Sequence, residues 1–297
     1  MESDYSQTVS IIIPSLNSPI IDLVVVAIES QPEIDSVAEI VVVGKDEFGL
    51  LQSGERVRLI DTGNPVLPGT ARNMGIRATA GSLLIFLDSD CLPQPGWLGA
   101  HLSAQRDSHP VVGGSVLPDG DNYWSLSYNL AMFHAYLSTA VSESRSYLPT
   151  LNLSVSRHVI DSVGLLDESL PRSQDLDWTV RMKQAGFLPY FAAEATVQHR
   201  HNRTTIRKVW QDCARSGYYA RQVRIQHHET LGTSVLLRFR LLILLLSPFI
   251  ATWVTGRIFL KQTPVLLYRF YTLPAIFLTK VAWCWGASRL FDKAKAN

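Results

Sequence analysis

Cysteine is scarce: Cys91, Cys213 and Cys284 are the three in 297 residues, far apart and in no metal-ligand spacing. So odd and sparse a set excludes a disulfide framework and fits a reducing compartment. Charge is short as well, with Asp, Glu, Lys and Arg at 18% of the chain and a formal net charge of +1. A chain so nearly neutral has no global field to draw nucleic acid, and none is expected as a partner. The shortfall is local. From residue 231 to 290 there is no Asp or Glu, while Arg238, Arg240, Arg257, Lys261, Arg269, Lys280 and Arg289 punctuate apolar runs. Even there the runs stay short. Residues 241–256 are uncharged but fewer than the roughly 20 of a spanning helix, and residues 263–287 are broken by Arg269, Pro274 and Lys280.

Cations interleaved with Trp253, Tyr268, Tyr271, Trp283 and Trp285 are the chemistry of a membrane interface. The tail is therefore expected as helices lying in or dipping into the cytoplasmic leaflet. A two-helix spanning hairpin and an apolar pair packed on the core are the alternatives. The first residues are acidic, and the first apolar run, residues 9–13, is too short for a secretion signal. The catalytic part is accordingly expected at the cytoplasmic face of a membrane, such as a bacterial inner membrane.

The first third alternates strand and helix. Residues 9–13 are a β-branched run stopped by Pro14, residues 39–44 and 57–60 repeat the pattern, and residues 82–87 run straight into Asp88-Ser89-Asp90. Residues 20–30 and 70–80 carry helical spacing, the second closed by Gly81. This alternation predicts an α/β fold with a mostly parallel, Rossmann-like sheet covered by helices. Ligands of such sheets sit beyond the carboxyl ends of the strands, the edge where Pro14, Gly44 and Asp88 would fall. Further on, residues 111–116 and 195–197 read as strands. Residues 124–141, 176–185 and 205–228 read as helices, the last long and basic.

Two carboxylates one residue apart at the end of a buried strand, Asp88 and Asp90, can converge on one hard divalent cation. Pro14-Ser15-Leu16-Asn17 is a proline-locked turn whose backbone can face a nucleotide. Residues 69–75 place Arg72 in the first turns of a helix, where the N-terminus and a forked donor both favour phosphate. Asp175 and Asp177 head another helix; such acids commonly serve the helix dipole, but a carboxylate near a donor sugar can accept a hydroxyl proton. His199 follows a strand-like run and can complete a coordination sphere beside the acid pair.

In this order the pieces resemble glycosyltransferase family 2, inverting enzymes of the GT-A fold. The carrying residues are 9–17, 69–75 leading into Asp88-Ser89-Asp90, Asn152 with Arg157, Gly164 to Glu168, Gln174-Asp175-Leu176-Asp177-Trp178 with Arg181 and Gly186, and Val197-Gln198-His199. The resemblance covers residues 9–205. It implies a nucleoside-diphosphate sugar donor and a Mn2+ or Mg2+ cofactor. Pro14, Ser15, Asn17, Arg72, Asp88 and Ser89 would bind the donor, and Asp88, Asp90 and His199 the metal. Asp175 would be the general base, with Asn152 and Asp177 shaping the acceptor side. Members commonly carry an acid at the end of the second strand to read the base; Gly44 stands there, and Asp46 is the substitute. Gln174 replaces the usual Glu before the catalytic Asp. The Gln-x-x-Arg-Trp signature of processive synthases is absent, which favours addition of a single sugar.

The implied division is a donor half over 1–110, an acceptor half over 111–205, a basic connecting helix over 206–232 and the tail over 233–297. The tail suggests a lipid-linked or glycan acceptor in cell-surface glycan or glycolipid assembly. A nucleotidyltransferase would need a Gly-rich loop with Arg after the first strand, and Ser15-Leu16-Asn17 is not one. A catalytically inactive membrane-bound scaffold would be expected to have lost some of Asp88, Asp90, Asp175 and His199.

Overall fold

Four parallel strands lead the sheet, the three inner ones apolar on both faces over most of their length. In a computed structural model, which describes residues 8–52 and 54–290, these are β1 (Val9–Leu16), β2 (Val37–Lys45), β3 (Val57–Asp61) and β4 (Leu83–Leu87), in the order β3-β2-β1-β4. The acidic first residues lie outside the described part. Helices α1 (Ile21–Glu29) and α2 (Pro68–Ala78) supply the crossovers. Ile12 lies opposite Val41 on one side and Phe86 on the other, and all three are fully buried. A strand flanked on both edges and covered on both faces has no solvent side, so its sequence does not alternate.

The chain continues through β5 (Cys91–Pro93), α3 (Trp97–Arg106), β6 (Val111–Val116), α4 (Tyr123–Met132), β7 (Glu143–Ser144), β8 (Asn152–Ser156), α5 (Arg157–Val163), α6 (Gln174–Gln184) and β9 (Tyr190–His199). Here the expectation of a mostly parallel sheet needs correction. The order runs on as β4-β8-β6-β9-β5, with β7 on β9, and β8 is antiparallel to both neighbours. The reason is where the chain enters. After visiting β7 on the start of β9, the chain returns to the carboxyl edge, so β8 starts there, with Asn152 opposite Leu87, and runs down to Ser156 opposite Leu83. Only β6 and β9 pair in parallel in this half.

Two cores result. Ile11, Ile13, Ile85 and Leu87 face Val24 and Ile28 of α1 and Trp97 of α3. On the opposite face Ile12, Phe86 and Leu153 pack with Trp178 and Met182 of α6, the Phe86 and Trp178 rings meeting edge to face at 5.4 Å. Each such side chain taken out of water contributes about 1.5–3 kcal/mol.

Helix α7 (Ile206–Gln226) carries the chain off the sheet. It leads to the short α8 (His228–Leu231) and α9 (Arg240–Leu245), then α10 (Ser247–Lys261), α11 (Thr263–Leu266) and α12 (Leu273–Ala287). The apolar tail thus forms a helical cap. Among the described residues no helix is long and apolar enough to cross a membrane. At 15 residues each, α10 and α12 would reach ~22 Å against a hydrocarbon core of ~30 Å. The cap is fastened by backbone contact. An ideal Cβ on Gly217 would lie 2.0 Å from Trp283 O, and one on Gly286 1.8 Å from Ala214 O, so the two glycines let α7 and α12 touch.

Candidate active site

The carboxyl edge gathers its charged groups from both halves of the sheet. Helix α2 turns Arg72 inward; its guanidinium is buried, pairs with Asp88 and leaves Nε and Nη1 without partners. Unsatisfied buried donors cost free energy, and an anionic ligand would satisfy them. Burial raises the Asp88 carboxyl above its usual range; Arg72 opposes this and neighbouring Asp90 reinforces it. Burial would lift Asp90 too, but His199, Arg203 and His201 together hold it well below the ordinary carboxylate range.

Strand β5, three residues long, makes this arrangement by pairing Cys91 with His199 of β9. That register leaves Asp90 Oδ2 3.5 Å from His199 Nε2. Asn129 fixes the imidazole. Its Nδ2 donates to Asp119 O and His199 O, so its Oδ1, 3.0 Å from His199 Nδ1, accepts from that nitrogen. Nε2 is thereby left available to coordinate a cation, as in histidines whose other ring nitrogen is held by a second partner. Ligand atoms of Asp90, Cys91 and His199 lie within 4.8 Å of one another. Burial pushes the Cys91 thiol well up, so it keeps its proton and is a poor partner for a hard cation. Asp90 and His199 therefore fit a divalent ion that takes its remaining ligands from water and phosphate. Asp88, expected to share the metal, stands outside this cluster because its carboxylate is engaged by Arg72.

Facing this edge, Asp175 sits half-buried in the first turn of α6. Its Oδ1 accepts from Leu176 N, and no cation pairs with it among the described residues. Gln174 Oε1 beside it is buried and unpartnered. Arg72, Asp88, Asp90, Asp175 and His199 all line one cavity of about 1130 Å3, larger than the roughly 300–1,000 Å3 of common small-molecule sites.

The other expected site residues do not line it. Pro14 and Ser15 lie within β1, opposite Val43 and Gly44, though Ser15 Oγ is buried without a partner. Asn17 clasps the loop after β2, its Oδ1 accepting from Glu47 N. Asp46 Oδ2 accepts from Leu51 N and closes that loop. The carbonyl of Ser89 accepts from Ser18 Oγ. Gly44 cannot carry an acid: φ is +138° and an ideal Cβ would lie 1.8 Å from Ser15 O.

The two acceptor-side candidates belong to the scaffold. Asn152 is buried and saturated, accepting from Trp97 Nε1 and facing His101 Nε2 at 2.9 Å while donating to Ala195 O. Asp177 is buried between Arg181 Nε and His227 Nε2, each at 2.8 Å. It points away from Asp175 because two residues on a helix turn through about 200°.

Sequence reasoning missed the roof. Arg172 and Arg203, both lining the cavity, pair with Asp212 of α7, which also accepts from Tyr128 OH at 2.6 Å. Against the upward push of burial, the two arginines hold Asp212 down to about 2. The available signal was isolation: Asp212 is the one acid between residues 195 and 228. Arg215, Arg224 and Lys280 also reach the cavity.

A family model described as Glycosyltransferase like family 2 matches residues 5–219. Among curated proteins the chain is similar to Glycosyltransferase AglE of Haloferax volcanii, 31% identical over 136 residues that span 43% of each chain. It is also similar to the Pre-mycofactocin glycosyltransferase of Mycobacterium tuberculosis, 30% identical over 159 residues, 51% of this chain and 33% of that protein. The matched stretch thus spans less than half the length of these relatives. Among solved structures the fold is similar to the mannosyltransferase PcManGT from Pyrobaculum calidifontis, in complex with GDP-Man and Mn2+. That likeness has a TM-score of 0.55 at 13% identity, over 92% of this chain and 85% of that one.

Proposed function

Because the chain belongs to glycosyltransferase family 2, we propose that it moves one sugar from a nucleoside-diphosphate donor to an acceptor hydroxyl, inverting the anomeric carbon. One observation carries this reading: Arg72, Asp88, Asp90, His199 and Asp175 converge on one cavity, an unpaired carboxylate facing a cation-ready edge. Arg72 would give its free donors to the diphosphate, and Asp88 would keep that guanidinium in place. Asp90 and His199 would hold Mn2+, which would supply positive charge where negative charge gathers on the leaving diphosphate. Asp175 would take the proton of the acceptor hydroxyl as the new bond from oxygen to the anomeric carbon forms. The bond from that carbon to the diphosphate oxygen breaks, and its electron pair leaves with the nucleotide.

Transfer is read as non-processive because the Gln-x-x-Arg-Trp signature is lacking. The base is read without a side chain at position 44. The setting we propose is the cytoplasmic face of a membrane, in cell-surface glycan or glycolipid assembly, with the cap resting on the leaflet. Its support is the aromatic and basic stretch from 231 to 290, which lacks Asp and Glu, and the exposed Leu241, Phe249, Trp253 and Leu260 within it. A nucleotidyltransferase is disfavoured by the absence of a Gly-rich loop after β1, and an inactive scaffold by the intact set of charged groups around the cavity.

The test is thermal melting of the whole chain with UDP, GDP and their sugars, with and without Mn2+. A ligand bound only by the native state raises the melting temperature by mass action. One nucleotide should do so in a Mn2+-dependent way, and Asp90→Ala should remove the dependence. If no nucleoside diphosphate shifts the wild-type melt with Mn2+ present, the reading fails.

A further inference from the structure

The base and the metal pair reach the cavity on separate loops, and among the described residues no hydrogen bond or ion pair joins Asp175 to Asp90 or His199. Asp212 of α7 touches both loops. Arg172, three residues before Asp175, gives it two hydrogen bonds, Nη1 to Oδ1 at 2.9 Å and Nη2 to Oδ2 at 2.8 Å. Arg203, four residues after His199, brings Nε to 3.1 Å from Oδ1 and lays its guanidinium 4.9 Å from the centre of the Tyr128 ring. Tyr128 OH completes the set, donating to Oδ2 from α4. The Asp212 side chain is 15% exposed, so solvent screens these pairs little, and a forked arginine pair fixes direction as well as distance. Arg172, Arg203 and Tyr128 line the cavity; Asp212 does not, so it reaches the reaction only through them.

The backbone next to Arg172 depends on that anchor. Ser173 has φ +64°, a left-handed conformation that is costly for a residue with a Cβ, and its side chain makes no capping hydrogen bond to α6. Such a turn persists where both flanks hold it. On one side Arg172 is pinned to Asp212 and Leu170 packs on a cluster that includes Val223 of α7; on the other, Trp178 anchors α6 in the core. Freed at Arg172, the chain would relax at Ser173 and carry the first turn of α6, with Asp175, out of place. The same release would leave a cavity-lining guanidinium without its acid, able to pair with Asp175 instead.

We propose that Asp212 is a positioning residue for transfer. Through Arg172 it fixes the turn that presents Asp175, and through Arg203 it fixes the loop behind His199. One carboxylate on α7 thus sets the base against the metal pair and keeps both arginines off the base. This rests on the donor reading above for the roles of Asp175, Asp90 and His199, but part of its test needs no turnover.

The experiment compares the full wild-type chain with Asp212→Asn, which keeps volume and removes charge. Hydrogen exchange read by mass spectrometry should quicken at least about ten-fold in 166–175 and in 200–205, while β1 and β4 stay as slow as before. With Mn2+ and the nucleotide sugar that passes the melting test, release of nucleoside diphosphate to water should fall at least about ten-fold in kcat, with KM for the donor within about three-fold. The Mn2+-dependent melt shift should persist, because Arg72, Asp90 and His199 are unchanged. A general loss of structure would instead speed exchange in the strands and raise KM. That pattern overturns the proposal, as does a folded variant with unchanged exchange in either loop or unchanged kcat. If Asp212→Asn does not fold, Arg172→Met carries the test. It leaves the Arg203 pair in place, so 166–175 should quicken and 200–205 should not; any other pattern overturns the proposal. Where hydrolysis by the wild type is too slow to follow, the exchange comparison decides. Failure in these arms alongside a normal nucleotide response sinks this inference alone; loss of the nucleotide response in the wild type sinks the donor reading instead.

Discussion

The sheet edge and the helical cap border the same cavity and treat polar groups in opposite ways. Of the acids around the cavity, all but one have an assigned cation or imidazole: Asp88 with Arg72, Asp90 with His199, Asp212 with Arg172 and Arg203. Asp175 is the exception. Between residues 231 and 290 the cap has no acids, none of its cations is ion-paired with a carboxylate among the described residues, and large apolar side chains face outward. The edge is organised by pairwise geometry, so it suits charge that must be placed to within an ångström. The cap is organised by composition, so it suits a partner without fixed shape.

If that contrast is right, the largest effect belongs to the exception. Asp175→Asn removes the one unpaired acid without changing volume. It should slow transfer by between about 10²- and 10⁴-fold while preserving the Mn2+-dependent nucleotide melt shift. Near-normal turnover would mean that the edge has no separate base. A second, smaller effect sharpens the other side. Phe249→Ser combined with Trp253→Ser should weaken sedimentation with phosphatidylglycerol-rich vesicles by about ten-fold and leave the nucleotide response unchanged. Equal sedimentation would show that the outward apolar face is not what meets lipid.

The smallest effect compares the regions through two buried histidines, His101 on the sheet side and His134 beside the cap. Burial lowers both to about 4, with Lys280 adding to the effect at His134. In the unfolded chain they take up protons near 6.5, so between 6.5 and 4 the unfolded state binds more protons than the folded one. Their stabilisation is therefore complete above 6.5 and is lost as the pH falls towards 4. Melting temperature should drop across that window, and His101→Gln should flatten part of the drop. An unchanged slope in that variant would remove His101 from the acid response.

The parallel half was legible because β1, β2 and β4 are unbroken β-branched or leucine runs, and β4 delivers Asp88-Ser89-Asp90 directly. Strand β8 was not, because Asn152 and Ser154 read as polar although both are buried and satisfied by His101. Strand β5 has too few residues to leave any pattern; its position follows from pairing with β9, a long-range fact. The same limit hid the partnership of Arg172 and Arg203 with Asp212. Asp177 misled for a different reason: the resemblance placed it on the acceptor side, whereas the helix turns it away from Asp175 and into a pair with Arg181 and His227. The form of the tail was not legible: its composition suggested a lipid boundary and did not indicate that α12 would lie against α7.

That glycine-to-backbone contact has a practical consequence. Val209 and Cys213 of α7 are sealed by Ala282 of α12, and the same helix holds Asp212 in the roof. Cutting the chain after residue 232 to test the proposed lipid contact would strip an apolar stripe bare directly behind the arginine cluster. Trimming the outward side chains one at a time is the gentler test of the proposed attachment, because it leaves the seam between the two helices closed.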